Sequence, residues 1–202
     1  MSKRRPLLAE LKHQLRWALP LRAVQLATSW FPDNSVALRV RGALARPFIA
    51  NCGRGFQLGR DVTLLNTYAL GIGDDVYIAK GAWLNAMGGL QLDDQVVVAP
   101  YVVISTLQHV FKDGSVRFGG SIARSVKIGK GTWLAAHSSV KCGVSVGDGV
   151  LVAANSCVVN DVEPRMVVGG VPARAIGPNV DGEAELLSRF VPAVHTREGR
   201  GG

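Results

Sequence analysis

Proton transfer is the chemistry that the histidines of this chain could perform. The sequence contains four of them, His13, His109, His137 and His195. An imidazole titrates close to neutral pH, so it can take the proton from a hydroxyl group while that group attacks an electrophile. His109 lies near the start of residues 107–122, where three glycines indicate a loop, and loops often carry functional residues. Composition alone leaves open whether His109 is catalytic or a polar loop histidine.

Cysteine and metal chemistry are not indicated. Cys52, Cys142 and Cys157 form no C-x-x-C pair, so they fit neither a disulfide framework nor a zinc site. An odd number of thiols without partners favours a reducing compartment. Neither a signal peptide nor an apolar run of membrane-spanning length is recognisable. We therefore expect a cytoplasmic protein that binds no metal.

A repeat of six residues must position any functional side chain. Fourteen blocks begin with Leu, Ile or Val, and the fifth residue of most blocks is small or aliphatic. The lead positions are Leu58, Leu64, Ile72, Ile78, Leu84, Leu92, Val98, Ile104, Ile128, Leu134, Val140, Val146, Val152 and Val158. A period of six fits neither a helix nor an alternating strand, but it fits short strands separated by corners. The pattern predicts an all-β parallel solenoid, with three blocks per coil and four to five coils over residues 58–163.

The repeat also indicates how the chain is divided. We expect an N-terminal helical or extended cap at residues 1–55, the solenoid domain at residues 56–177 with a loop protruding at residues 107–122, and a C-terminal helix and tail at residues 178–202. The C-terminal helix is predicted to begin after Asp181, which could act as its N-cap.

The N-terminal segment reads as a basic amphipathic helix. Residues 6–19 have leucines at helical spacing, and Pro20 is expected to end the helix. Such a helix could cover the open end of the solenoid, and contact with a membrane surface is the alternative. The chain has a formal charge of +8, which favours anionic partners. Nucleic acid is not expected, because no basic motif is interleaved with aromatic residues.

Two stretches of the sequence resemble the hexapeptide-repeat acyltransferases. They are VAPYVVISTLQH, which ends at His109, and IGKGTWLAAHSSVKCGVSVGDGVLVAANSCVVNDVEP with the following VVGGVPARAIG. The segment WLNAMGGLQLDDQ, which contains Asn85, is most similar to the O-acetyltransferases of exopolysaccharide and nodulation-factor synthesis. The resemblance implies a left-handed parallel β-helix, a homotrimer, and acetyl-CoA as the acyl donor.

The resemblance also implies roles for individual residues. His109 corresponds to the catalytic histidine and would act as general base, and Asn85 would bind the acceptor. Contacts to the cofactor would come from Ala136, Ala154, Val159, Asn160 and Arg174. Two positions depart from the family: Ala79 replaces an asparagine that holds the sugar in some members, and Val159 and Asn160 replace a frequent Thr-Lys pair near the cofactor phosphate.

These features predict an O-acetyltransferase that moves an acyl group from acetyl-CoA to a hydroxyl of a sugar or polysaccharide precursor. One alternative is transfer to another acceptor, such as serine or an antibiotic. A different class of function is a non-catalytic β-helix scaffold that does not bind CoA. The sequence leaves open the acceptor, the length of the acyl group and the residue that orients His109.

Overall fold

The fold is a parallel β-helix, and a computed structural model describes residues 7–180 of it. The predicted C-terminal helix after Asp181 lies outside the described residues. All fourteen lead positions of the repeat are buried, with at most 8% of any of them exposed. Fifth positions such as Val76, Thr132 and Ser156 are buried as well. The prediction that aliphatic residues spaced by six stack into one core is therefore confirmed.

Three parallel sheets form the faces of the β-helix. Sheet A contains β1 (Asn51–Cys52), β4 (Leu70–Ile72), β7 (Leu90–Leu92), β12 (Val126–Ile128) and β15 (Ser145–Val146). Sheet B contains β2 (Gln57–Leu58), β5 (Tyr77–Ile78), β8 (Val97–Val98), β13 (Trp133–Leu134), β16 (Leu151–Val152) and β18 (Met166–Gly169), closed by antiparallel β19 (Arg174–Pro178). Sheet C contains β3 (Thr63–Leu65), β6 (Trp83–Asn85), β9 (Val103–Ser105), β14 (Ser139–Val140) and β17 (Cys157–Val158).

Two steps of the repeat, Leu64 to Ile72 and Leu84 to Leu92, are eight residues long instead of six, and the corners explain them. Asn51 is in register with Gly71 and Gly71 with Gln91, while Lys127 is in register with Ser145. The first coils therefore contain two residues more than the last ones. The extra residues of the first long coil fall where a 3₁₀ turn, Thr67–Ala69, replaces a tight corner.

The expected loop at residues 107–122 is a β-hairpin. Strands β10 (Leu107–His109) and β11 (Ser121–Ala123) pair antiparallel and form a sheet of their own outside the solenoid. The chain leaves at the end of β9 and returns into β12, so the hairpin protrudes where sheet C meets sheet A. The crowded aromatic residues of this segment therefore stay outside the core, and Phe111 and Phe118 are exposed.

Helices cover the first coil, but they differ from the sequence expectation. The helical segment continues through Pro20, from α1 (Leu7–His13) through a π-helical turn (Gln14–Ala18) into α2 (Leu19–Thr28), and α3 (Ser35–Ala45) follows. The prediction that Pro20 ends the helix is wrong. The backbone N–H of Leu19 bonds to Gln14 O, five residues back, and this wider turn accommodates a proline that would clash in a regular helix.

The cap is fastened to the β-helix by a buried arginine. Arg41 of α3 is 1% exposed and donates to Leu58 O at 2.9 Å, to Phe31 O at 3.0 Å and to Asp33 Oδ1 at 2.8 Å. Helix α3 also approaches the first coil closely at Gly42, where a Cβ atom would collide with Phe56 O. A side chain at position 42 would force the helix away from the coil.

Candidate active site

His109 lies on β10 of the protruding hairpin, opposite Ser121 on β11. Its Nδ1 atom is 3.3 Å from Ser121 Oγ, and its ring is exposed. Within residues 7–180, the Nε2 atom makes no hydrogen bond. When Nδ1 carries the proton and donates it to Ser121, Nε2 is the basic nitrogen and is accessible to a ligand.

Thr106 fixes the base of this hairpin to the coil below it. Its side chain is fully buried, donates to Asn85 O at 2.7 Å and accepts from Gly88 N at 2.8 Å. Its carbonyl oxygen accepts from Arg124 N at 3.0 Å, which holds the returning strand. Both ends of the hairpin are thus tied to the strand end that carries Asn85.

The amide of Asn85 is oriented by its neighbours. Its Oδ1 atom accepts from Asn66 Nδ2 at 2.8 Å and from Met87 N at 3.1 Å. Two donors on one atom identify that atom as the oxygen, so the amide orientation is fixed. The Nδ2 group then remains as a donor for a ligand oxygen.

Asn85 belongs to a line of residues at the end of sheet C. We call four residues of this line the C-edge column: Asn85, Ser105, Lys141 and Val159. Asn85 is in register with Ser105, and the strand pairs Ile104–Val140 and Val140–Val158 continue this alignment through the next two coils. Adjacent parallel strands lie about 4.8 Å apart, so the column is about 14 Å long. His109 is four residues beyond Ser105, within about 14 Å of chain.

Two of the predicted cofactor contacts lie at the opposite edge of sheet C. Ala136 and Ala154 follow β13 and β16 at the same corner in consecutive coils, and Asn155 N donates to Ala136 O at 3.0 Å. Between the two edges, the outward residues Ser139 and Cys157 are small and alternate with buried valines. The upper half of sheet C is therefore a shallow, small-residue surface bordered by predicted contacts on both sides.

Two further predicted contacts meet at the C-terminal end of the solenoid. Asn160 and Arg174 line a cavity of about 340 Å³ together with Asp161, Glu163 and Met166. Arg174 is exposed and donates to Ala173 O at 3.0 Å. This cavity adjoins the upper end of the C-edge column, since Asn160 directly follows Val159.

Three residues of this arrangement were not singled out from the sequence: Thr106, Ser121 and Lys141. Lys141 could have been found, because it occupies the second position of its six-residue block, as Asn85, Ser105 and Val159 do. It is exposed and is the cation of the column. Thr106 and Ser121 act through contacts across the hairpin and the coil below, for which the repeat gives no signal.

Within residues 7–180, no three His, Cys, Asp or Glu side chains converge in a way that could hold a metal ion. Burial raises the pKa of the Cys52 thiol to about 11, so this thiol stays protonated near neutral pH. None of the described helices is both long and apolar enough to cross a membrane.

Comparison with known proteins places this architecture in a class. The structure superposes on that of a galactoside acetyltransferase in complex with coenzyme A with a TM-score of 0.75, at 22% identity, over 90% of this chain and 86% of the other. This likeness shows that the fold is the left-handed β-helix of such acetyltransferases. No family model matches the chain.

Two relatives show the same likeness at the level of sequence. The chain is 28% identical to the putative colanic acid biosynthesis acetyltransferase WcaF of Escherichia coli over 173 residues, 86% of this chain and 90% of WcaF. It is 27% identical to the galactoside O-acetyltransferase of E. coli over 124 residues, 61% of this chain, and it spans about half of that relative, 51%. In its repeats, its fold and these relatives, the chain is similar to the hexapeptide-repeat acetyltransferases.

Proposed function

We propose that this protein is an acetyl-CoA-dependent O-acetyltransferase that acylates a hydroxyl of a sugar or polysaccharide precursor, with His109 as general base. The observation that carries the proposal is the placement of His109. Its hairpin is fastened by Thr106 to the strand end that carries Asn85, beside the C-edge column. In this proposal the exposed Nε2 atom of His109 receives the proton of the acceptor hydroxyl beside the bound thioester.

The reaction follows from this placement. Nε2 of His109 takes the proton of the acceptor hydroxyl while the oxygen attacks the thioester carbonyl, so a C–O bond forms. The tetrahedral intermediate collapses, the C–S bond breaks, and the CoA sulfur leaves with the proton that His109 returns. In the tautomer with the proton on Nδ1, Ser121 Oγ accepts the hydrogen bond from Nδ1, and Nε2 is left as the base.

The donor would extend along the upper half of sheet C. The small residues between Ala136 and Ala154 on one edge and Val159 on the other allow an extended pantetheine to approach the backbone. Its phosphates would meet Asn160 and Arg174 at the C-terminal end, and Lys141 within the column. In this arrangement Lys141 supplies the positive charge that the absent Thr-Lys pair would have contributed.

The acceptor class is supported by Asn85 and by the relatives. An amide with a fixed orientation and a free Nδ2 group suits hydrogen bonding to a sugar oxygen. WcaF, whose name refers to colanic acid biosynthesis, is matched over almost its whole length. Polysaccharide precursors are therefore favoured over serine or an antibiotic.

A homotrimer is the assembly that we propose. The hairpin presents Phe111 and Phe118, which are 71% and 81% exposed, and the middle strand of sheet C presents Val103. A neighbouring subunit would cover these apolar side chains. Sedimentation equilibrium should give three times the monomer mass of 21.5 kDa, and a monomer would contradict this assembly.

A thiol-release assay with acetyl-CoA tests the proposed function. The acceptor panel contains hexoses, nucleotide-linked sugars, oligosaccharide fragments, serine and an antibiotic alcohol. We expect release of CoA only with sugar-containing acceptors, with an O-acetyl ester as the product. Release with serine alone would show a different acceptor class. Absence of CoA binding by calorimetry would indicate a non-catalytic scaffold.

A further inference from the structure

Helices α1 and α2 pack one side against the rest of the molecule. The leucines that recur at helical spacing in the sequence lie on the other side. Leu21 is 3% exposed, His13 packs edge-on against Tyr68 with ring centroids 4.9 Å apart, and Gln25 Nε2 donates to Val62 O at 2.7 Å. Helices α1 and α2 therefore contact the rest of the molecule through this side. The side chains that make the segment amphipathic are not used for that contact.

The outer side of the same helices is strongly apolar. It carries six leucines that are each more than half exposed: Leu7, Leu8, Leu11, Leu15, Leu19 and Leu26. Two aromatic side chains follow at its end, Trp30 with 89% and Phe31 with 58% exposed. So many exposed large apolar side chains on one helical segment usually mark an interaction site rather than a solvated face.

Basic side chains surround these six leucines, which we call the leucine face. Lys12, Arg16 and Arg22 are exposed on the same helices, and between residues 7 and 28 the only carboxylate is Glu10, which accepts from Gln14 Nε2 at 2.7 Å. In the sequence, residues 1–46 contain nine Lys and Arg against two Asp and Glu, a net +7 of the formal +8 of the chain. Most of the net positive charge of the sequence therefore lies in its first 46 residues.

We propose that the leucine face of α1 and α2 docks on the surface of an anionic lipid bilayer. Leucines and terminal aromatics on one side, flanked by Lys and Arg, are the features of a helix that lies in the membrane interface. A second copy of the chain is the less suitable occupant, because two such faces would bring their cationic rims together without carboxylates to offset them. This docking is independent of the acyl-transfer chemistry.

Vesicle flotation with the full chain tests this docking. The probe vesicles are pure phosphatidylcholine, or phosphatidylcholine with about 30 mol% phosphatidylglycerol. We expect the protein to float with the anionic vesicles, at least about tenfold more than with the neutral ones, and to be released at about 0.5 M KCl. Failure to float with the anionic vesicles at low salt would overturn the proposal.

Paired variants separate the leucine face from charge effects. Leu11→Asp with Leu15→Asp should lower binding about tenfold, and Leu11→Ala with Leu15→Ala, which keeps the charge, should also lower it. Ile176→Asp with Val180→Asp makes the same charge change at exposed apolar positions at the opposite end of the solenoid and should bind as the wild type does. Equal losses of vesicle binding in both Asp pairs would contradict membrane docking. A changed sedimentation mass in the leucine variants alone would also contradict it and would show a contact between subunits.

Discussion

The buried hydroxyl of Thr106 allows a test at the scale of single residues, because Thr132 makes similar hydrogen bonds elsewhere in the chain. We expect Thr106→Val to lower the free energy of unfolding by about 1–3 kcal/mol, because Gly88 N loses its buried acceptor. Since the hairpin would also loosen, we expect turnover to fall by about tenfold or more. Urea unfolding and acetyl transfer are measured on the same preparation.

Thr132→Val is the matched control for this substitution. Thr132 is equally buried, donates to Gly147 O at 2.8 Å and accepts from Val150 N at 3.2 Å, at a corner away from the hairpin. The Thr132→Val protein should lose a similar free energy of unfolding and keep the wild-type turnover. If both variants kept the same turnover, Thr106 would have no role in positioning His109.

Lys141 allows a second test at the scale of single residues. We expect Lys141→Ala to raise the KM for acetyl-CoA about tenfold with little change in kcat, because a contact to a cofactor phosphate is made equally in the ground state and the transition state. Lys127→Ala removes an exposed lysine from sheet A, where it pairs with Asp93 at 3.2 Å, and should leave KM unchanged. Equal KM values in the two variants would remove Lys141 from the donor site.

Among the elements, the cap depends on a single buried guanidinium. Arg41→Ala should lower the free energy of unfolding by about 3 kcal/mol, because Leu58 O, Phe31 O and Asp33 all lose their donor in a buried setting. Arg39→Ala, on the exposed side of the same helix, is the control and should change stability by less than about 0.5 kcal/mol. A mild effect of Arg41→Ala in urea unfolding would show that the cap is held by apolar packing alone.

The elements also show what a sequence can and cannot reveal. Lead residues such as Leu58 and Ile128 recur at a fixed period because each coil presents one inward site per face, so the solenoid was predictable. The continuation of the helix through Pro20 was not, because it depends on a π-helical turn that only the local hydrogen bonding reveals. The contact of Thr106 with Asn85 joins neighbouring coils, and periodicity alone does not identify such pairs.

Over the whole molecule, the proposed activities are separated along the solenoid axis. The cationic helices cover the first coil, His109 protrudes from the middle, and Asn160 and Arg174 line the C-terminal end. The six-residue repeat keeps these parts in register because every coil stacks directly on the previous one.

Acetyl transfer by the His109→Ala protein, measured together with its affinity for CoA, tests the central claim most directly. General-base assistance contributes about 10²–10⁴ in rate, so turnover with the preferred acceptor should fall by that factor while CoA binding by calorimetry and the urea unfolding curve stay unchanged. Wild-type turnover in His109→Ala would contradict the assignment of His109 as the base.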